Sequence, residues 1–419
     1  MTLFYNLLTY VVTALLWIAQ FFSKKLRLFM SGRKQSFNIL AEKISPNDQT
    51  IWFHCASLGE YEQGIPIMEA VKTQYPEYKI LVSFFSPSGY EIKKNSPVAD
   101  AVVYLPMDTK KNAAKFIKLA NPSMALFVKY EFWPNYLLEL HARAIPTALI
   151  SGLFRENQIF FKSYGGFMRK ALKTFDHLFV QDANSEALIH SLKIDAVSIS
   201  GDTRFDRVSH QIEQDNSLDF MEEFTENSIC IVCGSTWSED ENVLLRYINT
   251  APKHVKFVIA PHKIDSRKIL DLKNKISKST ILHSELNLEG TPGSISAHDV
   301  LIIDMVGLLT KIYSYANIAY VGGAVGKTGL HNILEPATFG VPIIIGDNYD
   351  QFPEAERLRC LAGLFSIDDE AGCTEILTKL VEDSKFREKT GMISEHFVNS
   401  NTGATAKVID YISNVLPKK

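Results

Sequence analysis

From about residue 50 onward, short apolar runs alternate with mixed stretches of helical length. The runs Ile51–His54, Ile80–Phe84, Ala101–Leu105, Met124–Val128, Thr147–Ile150, His177–Val180 and Val197–Ser200 are mostly apolar at consecutive rather than alternate positions. That pattern predicts strands buried on both faces, hence a parallel sheet with helices on either side. Residues 209–228, SHQIEQDNSLDFMEEFTENS, are polar and acidic and read as a crossing between domains. The alternation then restarts with Ser228–Cys233, Val255–Ala260, Thr280–Leu282, Val300–Ile303, Ile318–Val321 and Pro342–Ile345, and the chain from about residue 384 has a helical pattern. The expectation is an α/β protein of two doubly wound domains, residues 24–212 and 213–419, with a cleft between them. The last helix is a candidate to pack back on the first domain. In such sheets ligands bind at the carboxyl ends of the strands.

A different pattern precedes this alternation. From Met1 to Ser23 there is no Asp, Glu, Lys or Arg. The run LFYNLLTYVVTALLWIAQFF has roughly the 20 residues that a helix needs to cross a hydrocarbon core. Lys24, Lys25, Arg27, Arg33 and Lys34 follow it. A cleaved signal would place positive charge before the apolar stretch and small residues after it; here the order is reversed. Positive charge on the downstream side holds the body of the protein in the cytoplasm. Residues 1–23 are therefore expected to form a membrane anchor helix, either crossing the bilayer or lying in one leaflet. The plainer alternative is a hydrophobic helix packed on the body.

Composition narrows the function classes. A chain of 419 residues exceeds one typical core, and 46% hydrophobic with 22% charged residues is ordinary for a globular protein. A net charge of −3 supplies no basic field for nucleic acid. Five cysteines in a chain this long do not make a disulfide framework. Cys230-x-x-Cys233 overlaps the apolar run Ile229–Val232, has no second ligand pair, and reads as buried strand cysteines. With no HExxH, no convincing DxD and no paired CxxC, no metal site is expected.

The candidate chemistry sits where apolar runs end. In VGGAVGKTGLHNILEPATFGVPIIIGD, residues 321–347, a strand runs into a glycine-rich turn, with a helix expected from about Leu330 to Gly340. Backbone N–H groups of such a turn can approach an anion, and a helix dipole favours negative charge there. The GKT triplet is not a P-loop, because Val321 stands where that motif needs glycine. Gly326 belongs to the candidate anion loop. His331 and Asn332 are placed in the first helical turn, where they can reach a phosphate or base, and Glu335 lies one turn on, able to accept from ribose hydroxyls. In CGSTWSEDE, residues 233–241, Gly234, Ser235 and Thr236 offer N–H and hydroxyl donors, while Ser238 with Glu241 fits a capping box. APHK, residues 260–263, ends a strand on a cation, Lys263. In KYEFWPN, residues 129–135, Glu131 is either a cleft carboxylate or a helix-start residue. Asp182 and Asp304 read as helix starts. In HCASLGE, residues 54–60, Ser57 and Glu60 also fit a capping box, which needs no chemistry, and Glu60 is a candidate general base as well.

Taken together, these segments resemble the 3-deoxy-D-manno-octulosonic acid (Kdo) transferases of lipopolysaccharide biosynthesis. HCASLGE is similar to that family's H-x-x-S-x-G-E, and KYEFWPN to its E-x-E-x-W-P-N. Gly234-Ser235-Thr236, GDTRFD at 201–206, Asp304-Met305 and GLHNILEPATFGVP resemble further family segments. The resemblance implies a GT-B fold, two Rossmann-like domains facing a cleft with a membrane anchor on the first. It implies transfer of Kdo from CMP-Kdo to the lipid A precursor at the cytoplasmic face of the inner membrane, with inversion and without a metal or other cofactor. It makes Glu60 the general base and Glu131 a supporting carboxylate on the acceptor side, and it puts Gly234, Ser235, Thr236, His331, Asn332 and Glu335 on the donor side. Three departures stand out: Lys129 in place of a first glutamate, Leu330 in place of a glycine, and SGLFRE at 151–156 in place of an N-A-R start. The competing readings are another GT-B transferase or epimerase using a UDP-sugar, and a membrane-tethered nucleotide binder without turnover.

Overall fold

The computed structural model describes residues 2–286 and 294–416. The chain divides into two compact units, one of residues 1–207 with 401–419, the other of residues 208–400.

The first unit is built on strands β1 (Thr50–Cys55), β2 (Lys79–Phe84), β3 (Ala101–Tyr104), β4 (Pro122–Val128), β5 (Thr147–Gly152), β6 (His177–Val180) and β7 (Val197–Ile199). They form one parallel sheet in the order β3-β2-β1-β4-β5-β6-β7. Because the runs are apolar at consecutive positions, both faces are covered. Trp52, Leu81, Phe127 and Leu149 enter one apolar layer, and their neighbours Ile51, Phe53, Val82 and Leu126 enter the other. Part of the second layer comes from the far end of the chain. The helix Ala404–Val415 contributes Val408, Ile409 and Ile412, and its start is held by Asp206, which accepts from the Gly403 N–H (2.5 Å) and the Thr405 N–H (2.7 Å).

The second unit repeats the architecture with β8 (Ile229–Thr236), β9 (Val255–Pro261), β10 (Thr280–Leu282), β11 (Val300–Ile302), β12 (Ile318–Val321), β13 (Ile343–Gly346) and β14 (Leu364–Ile367). The sheet is parallel, in the order β10-β11-β9-β8-β12-β13-β14. Strand β14 is absent from the sequence reading: it is an edge strand with an exposed Ser366, so it lacks the continuous apolar run that marks the others.

The N-terminal segment forms two helices, α1 (Thr2–Ala19) and α2 (Lys24–Lys43). Helix α1 is amphipathic in the reverse sense. Its polar stripe faces the first unit: Tyr5 donates to Asp108 Oδ2 (2.7 Å), Asn6 Oδ1 accepts from Asn135 Nδ2 (2.9 Å), and Thr9 is buried. Phe4, Leu7, Leu8, Val11, Leu15 and Ile18, at helical spacing, are exposed. Among the described residues, no helix is long and apolar enough to cross a membrane.

Candidate functional site

In the first unit the candidate residues gather at the carboxyl ends of β1 and β4, which are neighbours in the sheet. Helix α3 (Leu58–Gln74) follows β1, with Ser57 as its N-cap in extended backbone. Glu60 reaches back so that its Oε2 accepts the Ser57 N–H (2.7 Å) and also the Ser57 hydroxyl. Among the described residues no hydrogen-bond donor reaches Oε1. One oxygen thus serves the helix start, and the other is available to accept a proton. A Cβ on Gly59 would meet nothing closer than Ser57 Oγ at 3.8 Å, which leaves the approach beside Glu60 open.

Glu131 ends a buried polar chain. Ser83 pairs in register with His54 across β1 and β2, and the Ser83 hydroxyl lies 2.8 Å from both the Trp52 indole nitrogen and His54 Nδ1. The indole can only donate, so the fully buried Ser83 satisfies its own proton by donating to His54 Nδ1. That fixes the remaining imidazole proton on Nε2, 2.9 Å from Glu131 Oε2. Trp133 Nε1 donates to the same oxygen at 2.7 Å. Glu131 is 9% exposed and is oriented by two N–H donors on one oxygen. It is not a helix-start residue; the following helix, Pro134–Ala142, is capped by Asp108 through the N–H groups of Asn135 (3.1 Å) and Tyr136 (3.2 Å). The Cys55 thiol is pushed up by burial and by the charges of Glu60 and Glu131, which places both carboxylates within electrostatic reach of that one atom.

Positive charge stands beside them. The Tyr130 hydroxyl is raised by burial and lies within electrostatic range of Arg155, Arg204, Glu60 and Asp202. Burial drives Asp202 upward, but Arg204, through its side chain (2.8 Å) and its N–H (3.0 Å), holds the carboxylate below its ordinary range. Gln63 Nε2 also donates to Asp202 (3.0 Å) and thereby ties the GDTRFD turn to α3. His54, Trp133, Arg155 and Arg204 were not singled out from sequence. His54 had a legible signal: it and Ser83 are polar residues at matching places in two adjacent apolar runs.

In the second unit, Gly234, Ser235 and Thr236 end β8. Ser235 is the extra residue of a bulge against β9 and has a left-handed backbone (φ 53°). A Cβ at Gly234 would run into the Tyr313 ring. The structure brings Thr236, Lys263 and His331 around Trp237. The Trp237, His262 and His331 rings form a stack, with centroid separations of 4.8 and 4.3 Å, and Trp237 Nε1 donates to His331 Nε2 (3.1 Å). The Lys263 ammonium lies 4.7 Å from the Trp237 ring centre. Burial and the neighbouring His262 hold His331 down at about 4. Glu335 accepts from Asn332 Nδ2 (3.1 Å) and the Thr310 hydroxyl (3.2 Å).

Four expectations need correction. His331 and Asn332 precede the helix rather than open it, because the Asn332 side chain accepts the Leu334 N–H (3.1 Å) and the helix runs only from Leu334 to Thr338. The cap of helix Ser238–Thr250 is Trp237 with Asp240, whose Oδ2 accepts the Trp237 N–H (2.8 Å); Glu241 accepts the Thr236 hydroxyl instead (3.1 Å). In the glycine turn one N–H is committed to the protein itself, Gly323 donating to Asp240 Oδ2 (2.9 Å), and Gly326 lies beside the acidic side chain of Glu239. Asp304 does not start a helix but accepts the Ser284 N–H (3.0 Å). Asp182 does cap one, through the Ser185 N–H (2.7 Å). Cys230 and Cys233 are buried and free, and burial pushes the Cys230 thiol up to about 12. Among the described residues, no three His, Cys, Asp or Glu side chains converge as metal ligands.

Comparison with known proteins sets this geometry in a family. The family model "3-Deoxy-D-manno-octulosonic-acid transferase (kdotransferase)" matches residues 31–207, within the first unit. A 3-deoxy-D-manno-octulosonic acid transferase of Chlamydophila psittaci is 26% identical over 359 residues, 84% of this chain and 82% of that protein. One from Aquifex aeolicus is 27% identical over 343 residues, 79% of this chain and 85% of that protein. Among solved structures, a UDP-GlcNAc 2-epimerase from Neisseria meningitidis bound to UDP-GlcNAc has the same fold, with a TM-score of 0.63 over 87% of this chain and all of that one, at 15% identity. The first unit thus carries the kdotransferase domain, and over about four fifths of its length the chain is similar to Kdo transferases, which are glycosyltransferases.

Proposed function

We propose that this enzyme transfers Kdo from CMP-Kdo to the lipid A precursor, with inversion and without a metal ion. The observation that carries the reading is the division of labour on Glu60: Oε2 closes the helix start, and Oε1 faces no donor. In the reaction, Oε1 takes the proton of an acceptor hydroxyl while that oxygen bonds to the anomeric carbon. The bond from that carbon to the CMP phosphate breaks on the opposite face, and the electron pair leaves with CMP. Glu131, held by His54 and Trp133, supports the acceptor side. On the donor side the bulged Ser235, Thr236, Lys263 and His331 supply N–H, hydroxyl and ammonium groups for the leaving phosphate, as fixed donors aimed at developing charge. Asn332 and Glu335 bind the ribose.

The reversed amphipathicity of α1 supports attachment to the inner membrane from the cytoplasmic side, with the helix lying in the plane of one leaflet. Its polar stripe is committed to side-chain bonds with the first unit, and Lys24, Lys25 and Arg27 follow where anionic headgroups lie. The test is incubation of the purified protein with CMP-Kdo and tetraacyl lipid A, followed by mass spectrometry of the lipid. Addition of Kdo supports the reading. Turnover with UDP-sugars in place of CMP-Kdo overturns it.

A further inference from the structure

Helix α1 is bonded to the segment that carries Glu131. Tyr5 and Asn6 meet Asp108 and Asn135, which are 2% and 3% exposed. Asn135 Nδ2 donates to both the Asn6 side chain and the Asp108 carbonyl (2.7 Å), while Asp108 caps the helix Pro134–Ala142. The lead-in to that helix is Glu131-Phe132-Trp133. Helix α2 reaches the same three residues by another route. The buried Arg33 guanidinium lies 3.4 Å from the Phe29 ring centre and 4.6 Å from that of Phe85, and donates to the carbonyls of Phe29 (2.9 Å) and Phe85 (2.6 Å). Phe85 stacks on Trp133 (4.5 Å, 28°), and Trp133 donates to Glu131. A tether that only holds a body near a membrane needs no such joints, and burying an arginine and a carboxylate is costly unless both are held by hydrogen bonds, as they are here.

We propose that the N-terminal helix pair positions the acceptor site: Tyr5 and Asn6 of α1 and Arg33 of α2 hold the Glu131–Trp133 segment at a fixed height above the lipid surface on which α1 lies. This rests on the acceptor-side role given above to Glu131. A lipid acceptor keeps its acyl chains in the leaflet, so its hydroxyl arrives at a set depth, and the segment that meets it must be registered to the same plane. Misplacing a positioning group by about 1 Å costs about 100-fold in rate.

The full-length double variant Tyr5→Phe with Asn6→Ala, and separately Arg33→Met, should be assayed in detergent micelles at saturating CMP-Kdo and tetraacyl lipid A, where attachment to a bilayer no longer limits encounter. The expected result is a fall in kcat of about 10- to 100-fold with KM for CMP-Kdo unchanged. Amide hydrogen exchange should quicken in residues 129–137 and stay unchanged in β1 and β2. In the Tyr5→Phe background, Asn6→Asp keeps an acceptor for Asn135 and should recover part of the loss. Wild-type kcat with unchanged exchange would make α1 a tether alone and overturn the proposal. So would a loss of kcat accompanied by faster exchange throughout the first unit, because that is general destabilisation. If the wild-type protein transfers no Kdo, the proposed function falls, and the exchange measurement still decides the positioning role.

Discussion

The first strand of each unit hands over to a helix in the same way. An extended residue caps the helix, and an acid three places on accepts the cap's N–H: Glu60 at Ser57 in the first unit, Asp240 at Trp237 in the second. The two acids end in opposite states. Asp240 is fully buried; its Oδ2 accepts from the Trp237 and Gly323 N–H groups and its Oδ1 from the Tyr320 hydroxyl (2.9 Å). Burial raises its pKa against the pull of those bonds. Glu60 is only half-buried and spends a single oxygen on the cap. A helix-start carboxylate therefore becomes structural or chemical according to what surrounds its second oxygen. The motif around it is the same either way.

The comparison breaks first at Glu60. Glu60→Gln keeps an acceptor for the Ser57 N–H, so melting temperature should hold while turnover falls on the order of 10²–10⁴. Near-wild-type transfer would return Glu60 to a capping role. Asp240→Ala should show the reverse weighting. It leaves three donors unpaired in the interior, at about 1–3 kcal/mol each, so urea unfolding of the second unit should reveal a loss of about 3 kcal/mol or more. A stable variant would mean that water replaces the carboxylate. Trp133→Phe sharpens the first half of the comparison: it keeps the ring on Phe85 and removes only an N–H from Glu131. A hydrogen bond to a charged group is worth about 1.5–3 kcal/mol, so kcat should drop by about 10-fold or more with little change in stability. Unchanged kcat would show that His54 alone orients Glu131.

The smallest effect concerns pH. His331, held at about 4 by burial and His262, and His262, lowered by burial and Lys263, both bind a proton less readily in the folded state than at the ordinary 6.5. Their contribution to the second unit's stability is complete above pH 6.5 and is lost as pH falls toward 4. The melting temperature of that unit should decline across this window, and His331→Gln should flatten the decline. An unaltered slope would assign the titration to other groups.

The strands and both acidic candidates of the first unit were legible because each lies in, or at the end of, a continuous apolar run. What sequence order hid were partners distant along the chain. His54 looks like a core residue of β1 until Ser83 is placed opposite it in β2. The glycine turn after β12 looks like an anion cradle until Asp240, 83 residues earlier, takes the Gly323 N–H. Asn332 reads as helical by spacing, yet its short amide side chain bonds the backbone locally and delays the helix to Leu334. The apolar, charge-free character of residues 1–23 is plain in the sequence, whereas the division of α1 into an exposed apolar face and a polar inner stripe shows only once Tyr5 and Asn6 meet Asp108 and Asn135.

The return of residues 401–416 to the first unit also bears on how the protein is made. Val408, Ile409, Ile412 and Leu416 lie in the same apolar layer as Ile51 and Phe53. During translation the sheet β1–β7 emerges first but keeps that layer partly uncovered until the entire second unit has been synthesised. The nascent chain thus carries an incomplete, sticky intermediate while residues 208–400 are made, with the kind of exposed apolar surface that chaperones act on. A premature stop codon just beyond residue 400 would spare the unit most recently made and cripple the one begun first, the unit that carries Glu60.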